Sequence, residues 1–171
     1  MTLIRMPKQL TIRKAIPGDE ASSHEAHMRS IREICVKDHG EEEIKGWGYR
    51  ELGNRWIRPI KEDFVWVVES ESTMYGFAYI RMIQESSTKR SHLHGLYLTP
   101  EAAGQGIATQ MMELMLNAAK DFKAEIVTLE SSITGHDFYK RFGFKDVGSM
   151  LKVDIGGYPV SCFPMELNLS K

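Results

Sequence analysis

His92-Leu-His94-Gly-Leu96-Tyr97-Leu98-Thr-Pro100, continued by Glu101-Ala-Ala103-Gly104-Gln105-Gly106-Ile107-Ala108-Thr109, is the stretch whose reading decides the fold. Leu93, Leu96, Tyr97 and Leu98, ending at Pro100, form a strand too apolar to sit on a solvated edge. Gly104 and Gly106 mark a short loop where the backbone turns tightly or approaches something closely. From Ile107 onward, Met111, Leu114, Met115, Ala118 and Phe122 fall three or four apart, which is a helical stripe. A strand, a glycine loop and a helix in that order present free N–H groups at the positive end of a helix dipole. Such a place suits phosphate.

Alone, the glycine pair is a weak signal. A dinucleotide fingerprint needs a third glycine where Thr109 stands, and no Gly-Lys-Ser/Thr follows to make a nucleotide phosphate loop. A glycine turn joining two packed elements is the plain alternative.

The rest of the chain sets bounds. With 171 residues it suits one domain and can bury a sizeable core. Its 22 basic and 23 acidic residues leave a net charge of −1, and no basic cluster is longer than Lys89-Arg90. That argues against nucleic acid as the main partner. The apolar run in Met1–Pro7 is too short for a signal peptide, and no stretch approaches the length of a membrane span. No membrane partner and a cytoplasmic location are therefore expected. Cys35 and Cys162 lie far apart in apolar contexts and read as free thiols.

Taken in order, Leu10–Ile16 alternates as a first strand. Pro17-Gly18-Asp19 opens a helix whose face is Met28, Ile31, Ile34 and Cys35, broken at Asp38-His39-Gly40. Residues 41 to 58 carry Ile44, Trp47, Leu52, Trp56 and Ile57 among glycines. They make either an irregular helix anchored by its tryptophans or a lid over a pocket. Asp63–Glu69 and Tyr75–Ile83 are a hairpin pair, and Glu125–Glu130 is a buried strand. Thr134 and Asp137 have capping-box spacing before a short helix closed by Gly143. Residues 144 to 155 and 158 to 167 flank Gly156-Gly157, a two-glycine hairpin signal. Strands alternate with helices in the second half, so an α/β fold with a mixed sheet and helices on both faces is expected.

Two motifs in this order resemble those of the GNAT superfamily of N-acetyltransferases, over roughly residues 10 to 169. Leu96–Pro100 with Ala103-Gly104-Gln105-Gly106-Ile107-Ala108 is similar to the acetyl-CoA loop of that superfamily, Arg/Gln-x-x-Gly-x-Gly/Ala. Phe138-Tyr139-Lys-Arg-Phe142-Gly143-Phe144 is similar to its late-helix motif ending in Tyr-x-x-x-Gly-Phe. The resemblance implies a mostly antiparallel central sheet of about seven strands in a single 10–169 domain. It also implies acetyl-CoA as co-substrate, with no metal. The amides of Gly104, Gln105, Gly106, Ile107, Ala108 and Thr109 would cradle its pyrophosphate, and the backbone of Leu96, Tyr97 and Leu98 would pair with its pantetheine arm. The Leu98 amide would polarise the thioester. Ala103 stands at the usual Arg/Gln position and Ser132 where an Asn is common, so two side-chain contacts are missing.

Acetyl transfer needs a neutral amine, although a free alkylamine has a pKa of about 10. A base is expected, and an acid for the departing thiolate. Tyr139 stands at the place of the tyrosine that serves as acid in the superfamily. His92 and His94, two apart on a strand, share a face and titrate near neutrality, which suits a base. Their pattern is similar to the paired histidines of serotonin N-acetyltransferases. Glu130 and Glu33 are fallback bases. Glu33, Trp47, Tyr49, Trp56 and Tyr158 are candidates for an acceptor pocket, where an acidic residue would favour a cationic amine. The expected activity is acetylation of a primary amine on a small molecule or peptide. A non-catalytic acyl-CoA sensor on the same fold is the alternative, and the C-terminal hairpin offers an edge for a homodimer.

Overall fold

The structure, a computed structural model, describes residues 9–170; the Met1–Pro7 stretch considered for a signal peptide lies outside the described residues. Its strands are β1 (Thr11–Lys14), β2 (Phe64–Ser70), β3 (Thr73–Glu85), β4 (Thr88–Leu98), β5 (Ile126–Ser132), β6 (Lys145–Asp146), β7 (Leu151–Ile155) and β8 (Tyr158–Asn168). Its helices are α1 (Glu20–Ser30), α2 (Val36–Trp47), α3 (Ile57–Glu62), α4 (Ile107–Asp121) and α5 (His136–Arg141). A π-helical turn, Ile31–Cys35, joins α1 to α2.

One sheet in the order β1-β2-β3-β4-β5-β8-β6, with β7 on β8, contains a single parallel pair, β4 with β5. β2 is apolar at consecutive positions because helices cover both of its faces. Val65 and Val67 pack with Ala26, Trp56 and Ile60 on the α1/α3 side. Trp66 and Val68 pack with Met111, Met112 and Met115 of α4 on the other. Those methionines fill the α4 interface, where flexible thioethers fit irregular gaps. Among the described residues no helix is long and apolar enough to cross a membrane. Both cysteines are buried free thiols.

Several local expectations hold. Gly156 and Gly157 both have positive φ, as a tight two-residue hairpin turn demands. Trp47 and Trp56 are both buried and so act as anchors. Gly40, with φ 76° and ψ 168°, is non-helical and breaks the run where a break was expected. Three expectations need correction. Residues 144 to 155 are two strands, because the chain leaves the β8 ladder after the Val147 amide and rejoins it at Leu151. Thr134 does not cap α5: the hydroxyl of Ser132, at the end of β5, accepts the Gly135 N–H at 3.0 Å instead. Residues 57 to 62 form a separate helix, since Gly53 has positive φ and turns the chain after α2. Gly46 also has a structural use unrelated to a lid. A Cβ there would come within 2.5 Å of the Ile155 carbonyl oxygen and the Tyr158 ring, so only glycine lets the β7–β8 hairpin close on α2.

Candidate active site

Gly104 and Gly106 have φ of 74° and 77°, and Gly106 is the left-handed residue from which α4 starts. The first α4 amide with a backbone acceptor is that of Gln110, on the Gly106 carbonyl at 3.2 Å. The amides of residues 104 to 109 have no hydrogen-bond acceptor among the described residues, and the loop is exposed from Ala103 to Gly106. Six adjacent free donors at the N-terminus of a 15-residue helix fit a pyrophosphate. The methyl of Ala103 adds no contact to that set. The Gln105 side chain bonds back to the Glu101 carbonyl at 2.6 Å and braces the loop.

β4 and β5 run side by side only as far as Leu93 and Leu129, after which β5 pairs with β8 alone. β4 continues to Leu98 with β3 on one side. Since Thr99 N–H donates to the Tyr75 carbonyl on β3, alternation turns the peptide groups of Leu98 and Leu96 toward the open side, and those of Tyr97 toward β3. A cavity of about 160 Å³ fills the wedge, lined by His94, Leu96, Leu98, Glu130, Phe138 and Tyr139 among others. Ser132 lines it as well, at the position where an asparagine would have reached further. An extended chain with its own peptide groups fits that strand edge.

Tyr139 projects from α5 between Phe138 and Phe144, with ring centroids 5.5 and 5.8 Å away. Burial pushes its phenol well above its usual range, so it keeps its proton at neutral pH. Cys35 lines the same wedge. Burial raises its thiol to about 11, so it is not a nucleophile there.

The paired histidines owe their placement to a bulge. Tyr79 faces Gly95 and Ile80 faces Leu93, so His94 is the extra residue on β4. The slip also lets Leu93, Leu96 and Leu98 all join the α4-side core, which an unbroken alternation forbids. His94 stacks on Tyr79 at 4.4 Å and meets the edge of His92 at 4.7 Å. The Thr128 hydroxyl reaches the Ser91 carbonyl at 3.4 Å and therefore accepts from His92 Nδ1–H at 2.7 Å, which leaves Nε2 as the free lone pair. Desolvation, then His92 and Arg81, bring His94 down to about 4, although its ring stays open to the cavity. Desolvation also lowers His92, against a smaller pull from Glu130.

Two further chambers open from the wedge, and His94 lines all three. The second holds His27, Trp47, Arg50, Tyr97 and Glu130; the third holds His27, Arg50, Arg55, Trp56 and Tyr79. Trp47 and Trp56 stand in the walls of the second and third chambers. Glu33 does not: it points outward to Arg29 at 2.8 Å, and Arg29 also holds Glu101. Glu33 sits in the π-helical turn, from which Ile34 and Cys35 reach the wedge while Glu33 itself faces away. Tyr49 is exposed over the Arg32 guanidinium, and Tyr158 packs against Gly46. Neither lines a chamber. His92 lies one ring behind the chambers, against His94. The sequence reading missed His24, His27, Arg50 and Arg55. Two arginines five apart in a glycine-flanked loop beside Trp56 were the available signal.

Four histidines here, His24, His27, His92 and His94, are held below their ordinary value, each chiefly by desolvation. The unfolded chain binds protons at these positions from about pH 6.5 downward, and the native protein binds them less readily there. Their stability is thus fully present above pH 6.5 and drains as the pH falls below it. Tm is expected to drop by at least about 3 °C between pH 7.5 and 5.5, before the carboxylates titrate. A Tm that stays flat across that interval would refute the assignment of neutral, desolvated rings.

Residues 35–169 match the acetyltransferase (GNAT) domain family. Among curated proteins, the uncharacterized N-acetyltransferase YafP of Escherichia coli (strain K12) is 22% identical over 138 residues, covering 81% of this chain and 83% of that protein. A GCN5-related N-acetyltransferase from Rhodopseudomonas palustris superposes with a TM-score of 0.76 at 18% identity, covering 99% of this chain and 100% of that one. The PaiA N-acetyltransferase from Thermoplasma acidophilum, in complex with coenzyme A, gives 0.72 at 22% identity over 94% of this chain and 99% of that one. These structural likenesses concern the fold, and the family match runs over well more than half of the sequence. The chain belongs to the GNAT acetyltransferase family.

Proposed function

We propose that this chain is an acetyl-CoA-dependent N-acetyltransferase acting on a primary amine, with one catalytic domain over residues 10–169. The observation that carries the reading is the wedge. There, a protonated phenol on α5 and an unprotonated imidazole on β4 line one cavity beside an open strand edge. Bound acetyl-CoA would supply the thioester. The amides of residues 104 to 109 hold its pyrophosphate, and the outward peptide groups of Leu96 and Leu98 hold its arm. The Leu98 N–H lies on that open edge and stabilises negative charge developing on a carbonyl oxygen. His94 takes the amine proton, and His92, oriented by Thr128, stands next in line. Tyr139 gives its proton to the departing thiolate. A coenzyme A complex in a protein of the same fold supports the co-substrate.

The first test is release of CoA thiol from acetyl-CoA over a panel of amines, with thermal shift by acetyl-CoA as the binding control. His94→Gln is expected to lower kcat/KM by about 10- to 100-fold and leave the acetyl-CoA shift in place. In the wild type, with His94 near 4, kcat/KM rises with pH toward the pKa of the amine and shows no imidazole inflection above about pH 5. A His94→Gln enzyme with normal turnover would move the base role to Glu130, which lines the first two chambers. A strong thermal shift without turnover on any amine would favour a non-catalytic sensor.

A further inference from the structure

The third chamber, about 230 Å³, is the one whose polar groups the acetyl-transfer chemistry leaves unused. Arg50 and Arg55 both line it, and both are partly buried. Neither has a carboxylate partner among the described residues. Arg50 Nε donates to the Trp47 carbonyl at 3.1 Å, which leaves the outer guanidinium nitrogens free, and Arg55 makes one bond, from Nη2 to His24 Nδ1. His24 Nε2 in turn reaches the Arg50 carbonyl at 2.8 Å, so a single imidazole positions both arginines. Arg55 Nε, Trp56 Nε1 and both ring nitrogens of His27 are buried with no partner.

This arrangement is costly. Partly desolvated like charges repel, and each buried donor without a partner forfeits a bond that water would supply. Burial lowers both guanidinium groups, Arg55 to about 10, with Arg50 adding to the effect on Arg55. No carboxylate among the described residues pairs with either arginine. Asp63 is held by the Tyr79 hydroxyl at 2.7 Å and faces Arg81, and Glu130 shares the second chamber with Arg50 without an ion pair to it. The third chamber itself has both arginines and no acid in its lining, with His94 on its border. A ligand anion would relieve the repulsion and find forked N–H donors that match oxygen pairs.

We propose that the acceptor amine carries an oxyanion, a carboxylate or a phosphate, which seats between Arg50 and Arg55 while the amine reaches His94. This rests on the acetyltransferase reading for the amine, but the anion chamber itself does not depend on turnover. It gives the pocket the polarity opposite to the one that an acidic lining residue, favouring a cationic amine, would give.

The test uses the full chain with saturating acetyl-CoA and matched acceptors: β-alanine, 4-aminobutyrate, methionine and phenylalanine against their carboxamides, with 2-aminoethylphosphonate against ethylamine. At least one oxyanion member is expected to exceed its neutral match at least tenfold in kcat/KM, and the phosphonate pair tells phosphate from carboxylate. Arg55→Gln and Arg50→Gln should each abolish most of that preference, with acetyl-CoA thermal shift certifying the fold. Neutral partners used as well as the anions, or a preference that survives both substitutions, would overturn the proposal. If no amine turns over, the amine-free acids propionate, 4-methylpentanoate and 3-phenylpropionate and inorganic phosphate are tested by thermal shift. A stabilisation present in the wild type and lost in Arg55→Gln supports the chamber even though the acetyltransferase reading fails. No shift with any of them, or equal shifts in wild type and variant, overturns the proposal.

Discussion

Tyr139→Phe is expected to lower kcat by about a hundredfold, in the range general acid catalysis commonly supplies, while acetyl-CoA binding stays within about twofold. The phenol is well placed for such a clean test. Its ring is clamped between Phe138 and Phe144, and a phenylalanine keeps those edge contacts. Its hydroxyl borders the wedge, and burial holds the proton on it throughout the physiological range. The substitution therefore removes a proton donor and almost nothing else. A thiolate leaving without that donor departs as an anion into a half-closed, apolar cavity, so an acyl donor with a better thiol leaving group should lose less. Thiol release at saturating acetyl-CoA, wild type beside variant, measures the effect. A variant that retains more than about half of kcat would remove Tyr139 from the chemistry and leave it as a packing residue under the strand edge.

Legibility in the sequence followed the range of the interactions. The glycine loop, the helix after it and the Gly156-Gly157 hairpin are set by local backbone needs. All three stand where periodicity and turn chemistry put them, with positive φ at each glycine named. The bulge at His94 leaves a trace in the sequence: Leu93 and Leu96 cannot share a face of an unbroken strand, yet both are leucines that pack with one core. Glu33 is a candidate only as an acidic residue of the first helices; it lies off the Met28, Ile31 and Cys35 face, and its pairing with Arg29 on the solvent side is a tertiary outcome that the sequence does not show. Arg50 and Arg55 were illegible for a related reason. Their significance lies in the carboxylates they lack, and pairing of that kind is settled by tertiary contact. The same holds for His39, which the sequence offered only as one of several scattered histidines.

That histidine belongs to a buried polar network behind the second chamber. The Ile133 amide donates to His39 Nε2 at 3.0 Å, which leaves the proton on Nδ1, directed at Glu43 Oε2 at 2.6 Å. The other Glu43 oxygen accepts from the Ser161 hydroxyl at 2.6 Å, and the Ser161 amide and Lys152 stand further off at 3.3 and 3.8 Å. Burial alone would raise the Glu43 carboxyl, but the bonds from Ser161 and His39 outweigh it and hold it below its ordinary value. One carboxylate thus ties α2 to β8, and through His39 to the turn before α5. Trp47, Val160 and Ser161 of the second chamber depend on that tie for their positions. Glu43→Ala leaves the His39 N–H and the Ser161 hydroxyl and amide, both residues buried, without their acceptor. It should therefore cost about 3 kcal/mol, or roughly 6–12 °C in Tm for a chain of this size. Glu62→Gln, which breaks the exposed Arg58 pair, should move Tm by no more than about 1 °C. Because Glu43 and His39 act through one bond, the Glu43→Ala/His39→Ala double variant should lose clearly less than the sum of the singles. Additive losses, or a Glu43→Ala shift no larger than that of Glu62→Gln, would show that the wall stands on its apolar packing alone. The acceptor KM should then be indifferent to Glu43, whereas the network requires that it rise.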